Sequence, residues 1–82
     1  MRLLLIWIQK KDDAYFNRAK LIYGYQLDKP EKTYKDWTYD RALDEVRKAI
    51  AIEALPVYIQ LEGDIQFAKK DYAAALASYE KV

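Results

Sequence analysis

Apolar side chains recur every three or four residues along most of this chain, which is the period of an α-helix. The first such stretch runs from Asp12 to about Leu27, and it starts with two acids, Asp12 and Asp13, where helices favour negative charge. Pro30 should end it, because proline disfavours a helical residue before it. The polar segment that follows, up to Asp36, is predicted to be a loop.

The same pattern predicts three further helices. Thr38 or Asp36 is expected to cap the second, Pro56 suits the first turn of the third, and Asp71 can cap the fourth. Beyond Ile8 no strand alternation competes, so the predicted class is all-α. The apolar stripes are Tyr39, Ala42, Leu43, Val46, Ala49 and Ile50 in the second helix, Tyr58, Ile59, Leu61, Ile65 and Phe67 in the third, and Tyr72, Ala75, Leu76 and Tyr79 in the fourth.

The apolar run Leu3–Ile8 can be interpreted in two ways, as the end of a helix or as a short strand, because six apolar residues show no decisive period. It is far shorter than the roughly 20 residues that span a bilayer, so no membrane span is expected. Charged residues follow it instead of a small-residue cleavage site. We therefore expect no signal peptide, which favours the cytoplasm.

The predicted helices match one another at constant spacing, which indicates an internal repeat. Between the first and third helices, Tyr15, Ala19 and Tyr23 match Ile59, Gly63 and Phe67 at an offset of 44 residues. The second and fourth helices match at an offset of 33, which implies an 11-residue insertion that Asp28–Thr38 accounts for. The pairs at offset 33 are Tyr39 with Tyr72, Ala42 with Ala75, Val46 with Tyr79, and Ala49 with Val82.

Gly63, Tyr72, Ala75 and Tyr79 resemble the small and aromatic positions of the tetratricopeptide repeat (TPR) family. The segment Ala14–Ala19 is similar to a common start of that repeat's first helix, helix A. The sequence departs from the family at Gln66, where an aromatic is usual, at Glu62, where leucine is usual, and at Pro56, which lies about two residues late. The likeness covers about residues 12–82.

The resemblance implies a fragment of an α-solenoid made of antiparallel αα-hairpins, with two large aromatics of each unit in the core. Residues 1–11 would be the end of a preceding helix or a separate apolar segment. Residues 12–53 would form a first repeat with the insertion in its internal loop, and 54–82 a second repeat, truncated in its second helix. Tyr15, Tyr39, Tyr72 and Tyr79 are the aromatics expected in the core.

The family binds proteins or peptides on a concave surface lined by helix A, so the resemblance implies an interaction scaffold without a cofactor. The implied binding residues here are Asp13, Phe16, Lys20, Tyr23, Gln60, Asp64 and Phe67. Tyr34 and Trp37 of the insertion either form a recognition loop or, in the case of Trp37, anchor the start of the second helix.

A second hypothesis is a structural module that forms homo-oligomers through its apolar ends, Leu3–Ile8 and Leu76–Val82. Terminal helical repeats usually need a polar capping face to stay in solution, and neither end supplies one. Leu5, Trp7 and Ile8 are the residues expected to make this contact.

Charge and composition argue against other functions. Fourteen basic residues oppose thirteen acidic ones, for a net charge of +1, so no positive field for nucleic acid is present. The chain has no His and no Cys, which leaves the hydroxyls of Ser78, Thr33 and Thr38 without an activating base. Neither an enzyme nor a metal site is expected, because Asp40 and Asp44 suit a solvated face, with Asp44 paired to Lys48, better than a cation site.

Overall fold

The computed structural model describes residues 11–82, and this part of the chain forms four α-helices and no strand. The all-α class is therefore confirmed for residues 11–82, whereas the choice between helix and strand for Leu3–Ile8 lies outside the described residues. The helices are α1 Lys11–Asp28, α2 Tyr39–Ile52, α3 Pro56–Ala68 and α4 Tyr72–Tyr79, with a 3₁₀ turn at Pro30–Lys32 between α1 and α2. The predicted boundary between residues 53 and 54 falls in the connection between α2 and α3, while the equivalence of the two helix pairs as repeats stays a prediction.

Local chemistry explains where the helices begin and end. Of the two candidate caps for α2, the structure uses Thr38, whose hydroxyl accepts the Arg41 N–H at 3.1 Å. Asp71 caps α4 by accepting the Ala74 N–H at 3.4 Å. Lys70 adopts a positive φ of 68° in the turn after α3. The next N–H, from Asp71, bonds back to the Gln66 carbonyl at 2.9 Å, which closes the end of α3.

The core lies where α2 packs against α1 on one side and α3 on the other. Neighbouring helices run antiparallel: Arg18 of α1 bonds to Glu45 of α2, while the ring of Tyr23, later in α1, lies 6.2 Å from that of Tyr39 at the start of α2. The most buried apolar side chains come from three helices. They are Ala19 and Ile22 of α1, Ala42, Val46 and Ala49 of α2, and Tyr58 and Ile65 of α3.

The α3–α4 hairpin depends on a close approach at Gly63. A Cβ placed on Gly63 would lie 2.6 Å from Cε1 of Tyr79, so the tyrosine ring occupies the space that any side chain here would fill. At the matching positions of the first hairpin the sequence has Ala19 and Val46, both fully buried. Compared with the first hairpin, the second has a larger residue at position 79, Tyr instead of Val, and a smaller one at position 63, Gly instead of Ala.

Two expectations about burial are wrong. Tyr72 and Tyr79 were expected in the core, but Tyr72 is 56% exposed and Tyr79 is only partly covered, because no described element packs on the outer face of α4. The helical spacing of α2 also places Glu45, with Arg41, Asp44 and Lys48, on the face opposite the apolar stripe, but Glu45 is buried. Arg18 Nη1 at 3.1 Å and Arg41 Nε at 3.8 Å compensate the charge of its Oε2.

The two glycines provide a matched test of the Gly63–Tyr79 contact. Gly24→Ala meets nothing within 4 Å and should stabilise the protein by about 0.5–1 kcal/mol through helix propensity. Gly63→Ala should instead destabilise it by about 1 kcal/mol, because overpacking costs about 1–3 kcal/mol and exceeds the same propensity gain. Chemical denaturation measures both changes. Equal stabilisation by the two substitutions would contradict the close approach.

Candidate functional site

A groove runs between α1 and α3, and it gathers five of the seven binding residues that the sequence predicts. Its hollow has a volume of about 330 Å³, at the lower end of the range for ligand sites. The groove residues are Phe16, Lys20 and Tyr23 of α1 and Val57, Gln60, Leu61 and Asp64 of α3. Helical spacing places each set on one face of its helix, and the shared packing against α2 holds the two faces together.

Phe16, which lines the groove, packs against the buried ring of Tyr58. Their ring centroids lie 4.8 Å apart with a tilt of 39°. The Tyr58 hydroxyl lies 2.9 Å from Asp12 Oδ2 and 2.8 Å from Asp13 Oδ1, although its one proton can be donated to only one of them at a time. This contact ties the start of α1 to α3. It also places the Asp13 carboxylate against Tyr58, beside the groove and not among its lining residues.

The two charged groove residues, Lys20 and Asp64, lie on opposite helices. The Lys20 ammonium is 5.2 Å from the Phe16 ring centroid, a cation–π distance. Asp64 accepts a hydrogen bond from the Tyr79 hydroxyl through Oδ1. Burial raises the pKa of Tyr23, and the negative charge of Asp64 raises it further. The groove therefore offers one cation and one anion around an apolar floor.

Phe67 lies outside the groove. It packs edge-on against Tyr72 at a centroid separation of 5.1 Å, over the turn between α3 and α4, and 58% of its surface stays exposed. Phe67 shares the helical stripe of Gln60 and Asp64, but it is not among the residues that line the groove.

The insertion before α2 packs on itself and on α1. Trp37 makes edge-on contacts with Tyr34 at 4.9 Å and with Tyr25 of α1 at 5.6 Å, and it lies partly buried against the core. Of the two interpretations, the anchoring one fits Trp37. Tyr34 is largely exposed.

Sequence reasoning missed two groove residues, Val57 and Leu61, and the linking role of Tyr58. Val57, Gln60, Leu61 and Asp64 are spaced by three, one and three residues, so a helical projection around Gln60 and Asp64 contains the signal for the first two. The hydroxyl of Tyr58 gives no such signal, since its partners lie 45 and 46 residues earlier in the chain.

Other polar clusters are engaged in local bonds. Lys48 pairs with Asp44 at 3.3 Å, as the sequence predicts, and Lys69 bonds to Asp40. Ser78 Oγ donates a hydrogen bond to Gln66 Oε1 at 2.7 Å. Gln66 stands where the TPR family usually has an aromatic side chain, so this position makes a polar contact here. Within residues 11–82 no group of three or more His, Cys, Asp or Glu side chains is placed to hold a metal ion.

No protein-family model, curated protein or solved structure matches this chain. The resemblance to the TPR family therefore rests on the residues already given. In the described part of the chain, no helix combines the length and hydrophobicity needed to cross a bilayer. Leu5, Trp7 and Ile8, which the self-association hypothesis uses, lie outside the described residues.

The Tyr58 hydroxyl should stabilise the buried carboxylate of Asp12 at the start of α1. Asp12 is only 2% exposed, so Tyr58→Phe leaves a buried carboxylate oxygen without its donor and should cost about 1–3 kcal/mol of unfolding free energy. Adding Asp12→Asn to Tyr58→Phe should recover part of that loss, because a neutral amide is less costly to bury than a carboxylate. Additive losses in this double-mutant cycle, measured by denaturation, would contradict the coupling.

Alkaline pH should destabilise the protein through Tyr79 and Tyr58. Partial burial, and then the hydrogen bond to Asp64, raise the pKa of Tyr79 from 10.0 to about 12, and burial raises the pKa of Tyr58 as well. Below pH 10 both folded and unfolded states keep the phenolic protons. Between pH 10 and 12 the unfolded state loses them first, so stability falls as pH rises.

Tyr79→Phe should flatten this fall, as followed by circular dichroism and denaturation at each pH. Asp64→Asn should flatten it partly, because it keeps an acceptor oxygen but removes the negative charge. A slope in Tyr79→Phe as steep as that of the original protein would rule out this origin for the alkaline sensitivity.

Proposed function

We propose that this protein is a helical interaction module that binds a segment of another protein or a peptide in the groove between α1 and α3. The observation that carries the proposal is the convergence of Phe16, Lys20, Tyr23, Gln60 and Asp64 on one hollow. The TPR resemblance implies all five as binding residues, and they lie on two helices that are far apart in the sequence. The TPR assignment, with its concave helix A surface, is part of the proposal.

The groove's chemistry indicates what kind of segment fits. Phe16, Leu61 and Val57 provide apolar surface, and half of the Val57 side chain is exposed. An apolar side chain of the partner would bury this surface, which is the main source of binding free energy. An acidic group beside it would meet Lys20, and a basic group would meet Asp64.

Binding, with neither reaction nor cofactor, is the proposed activity. The hydroxyls of Ser78 and Thr38 have structural roles, in the bond to Gln66 and in the cap of α2. The opposite charges of Lys20 and Asp64 suit a mixed-charge peptide better than the uniform negative charge of nucleic acid.

Self-association is the second candidate. It is favoured by the exposed apolar side chains at the end of α3 and on α4, above all Phe67, Tyr72 and Leu76. These residues lie away from the groove, so the two functions are compatible.

A matched pair of substitutions tests the groove. Peptides selected from a random displayed library against the full chain provide the probe. Val57→Glu places a charge on the groove floor and should weaken binding of a selected peptide by about tenfold or more, which is about 1.4 kcal/mol. Ile52→Glu makes the same kind of change at an equally exposed site outside the groove and should leave the affinity within about twofold.

Isothermal titration calorimetry measures both affinities, and circular dichroism confirms that each variant stays helical. Equal losses for the two variants, or selected peptides that bind Val57→Glu unchanged, would place the binding surface elsewhere.

A further inference from the structure

The outer face of α4 carries a stripe whose counterpart on α2 is covered. We call Ala73, Leu76 and Glu80 the tail face. The sequence offset of 33 pairs them with Asp40, Leu43 and Arg47 of α2. Leu43 is 7% exposed, whereas Leu76 is 60% exposed. A surface similar to the one that covers the stripe on α2 should therefore suit the stripe on α4.

Helix α3 covers the stripe on α2. Lys69, just after α3, donates to Asp40, and Arg47 Nε donates to Glu62 Oε2 at 3.1 Å. Since these bonds lie at the two ends of the stripe, α3 runs along it in the antiparallel direction. Ile65 lies between Glu62 and Lys69 on α3 and is fully buried, as expected for the residue opposite Leu43.

The counterpart of this covering surface lies on α1. The offset of 44 pairs Glu62, Ile65 and Lys69 with Arg18, Leu21 and Tyr25, which we call the head face. Leu21 is 48% exposed and Tyr25 44%. Leu21 and Tyr25 line a hollow of about 550 Å³ along α1, which shares only Lys20 with the groove.

The tail face and the head face complement each other when the tail face takes the place of the stripe on α2 and the head face takes the place of the α3 surface that covers it. Leu76 would meet Leu21, and Ala73 would meet Tyr25 in place of the Asp40–Lys69 ion pair. Glu80 would meet Arg18. This contact corresponds to the Arg47–Glu62 pair, with the acidic and the basic residue exchanged between the two faces. Opposite charges are thus kept at this position, although both residues differ from their counterparts.

Arg18 is also positioned for a second partner. In the α3–α4 hairpin Glu62 uses Oε1 for Ser78 at 3.2 Å and Oε2 for Arg47 of the preceding helix. Arg18, at the matching position, contacts Glu45 of its own hairpin through Nη1 at 3.1 Å. A guanidinium has five N–H donors, so further donors of this half-exposed side chain can bond to an incoming carboxylate.

From this match we propose that copies of this chain stack head to tail, the tail face of one copy on the head face of the next. Such a contact joins two different surfaces, so it can extend into open chains instead of closing as a symmetric dimer. The proposal goes beyond peptide binding, since neither face belongs to the groove.

Two exposed leucines separate this arrangement from the alternatives. Light scattering coupled to size exclusion should show a mass that rises with concentration for the original chain. Leu76→Glu and Leu21→Glu should each remain monomeric, because each loses one face. An equimolar mixture of the two should form a heterodimer, because Leu76→Glu keeps its head face and Leu21→Glu keeps its tail face. Ile52→Glu should associate like the original chain.

A monomer at every reachable concentration would overturn the proposal. Failure of the mixture to form a heterodimer would also overturn it. So would dimers of Leu21→Glu alone, because they would indicate a symmetric tail-to-tail contact. Circular dichroism checks that both variants keep their helices, which is expected because Leu76 and Leu21 are exposed.

The charge pair tests the register. Glu80→Arg faces Arg18 with a like charge and should weaken association about tenfold. Glu53→Arg makes the same change of charge at an exposed site on neither face and should leave association unchanged. Unaltered association in Glu80→Arg would overturn the assigned register.

Discussion

The packing of α2 between α1 and α3 is the constraint on which the rest of the structure depends. A chain of this length has little core to spare, and α2 provides the largest share of the fully buried residues, Ala42, Val46 and Ala49. Its small side chains let two helices approach from different sides. Because both α1 and α3 are held against the same helix, their neighbouring faces form the groove between them.

Polar contacts set the position of α1 and α3 along α2 more specifically than apolar packing can. Arg18 meets the buried Glu45 on the α1 side, and Arg47 meets Glu62 on the α3 side. Tyr58 then joins α3 directly to the start of α1. Apolar contacts tolerate small sliding movements, whereas a buried carboxylate that loses its donor is costly, so these bonds favour a single register.

The sequence predicts the helices well because periodicity, Pro56 and the caps Thr38 and Asp71 are local features. It predicts most of the groove because helical spacing and the TPR resemblance select one face of α1 and α3. The features that it does not predict depend on contacts between distant residues. The burial of Glu45 follows from Arg18, 27 residues earlier in the chain. The exposure of Tyr72 depends on the absence of a covering element in the described chain. Residue identity alone does not reveal either one.

The proposed stack also accounts for the two predicted binding residues that lie outside the groove. The offset of 44 pairs Phe67 with Tyr23 and Asp13 with Val57, both of which line the groove in the single chain. In the stack, α1 of one copy packs on α4 of its neighbour in the way that α3 packs on α2 within one chain. This α1 then also lies beside α3 of the neighbour. A second groove then forms at the joint, and its lining includes Phe67 of one copy and Asp13 of the next. Stacking would thus extend the same binding surface from copy to copy, and a peptide with repeated apolar side chains would gain affinity from occupying successive grooves.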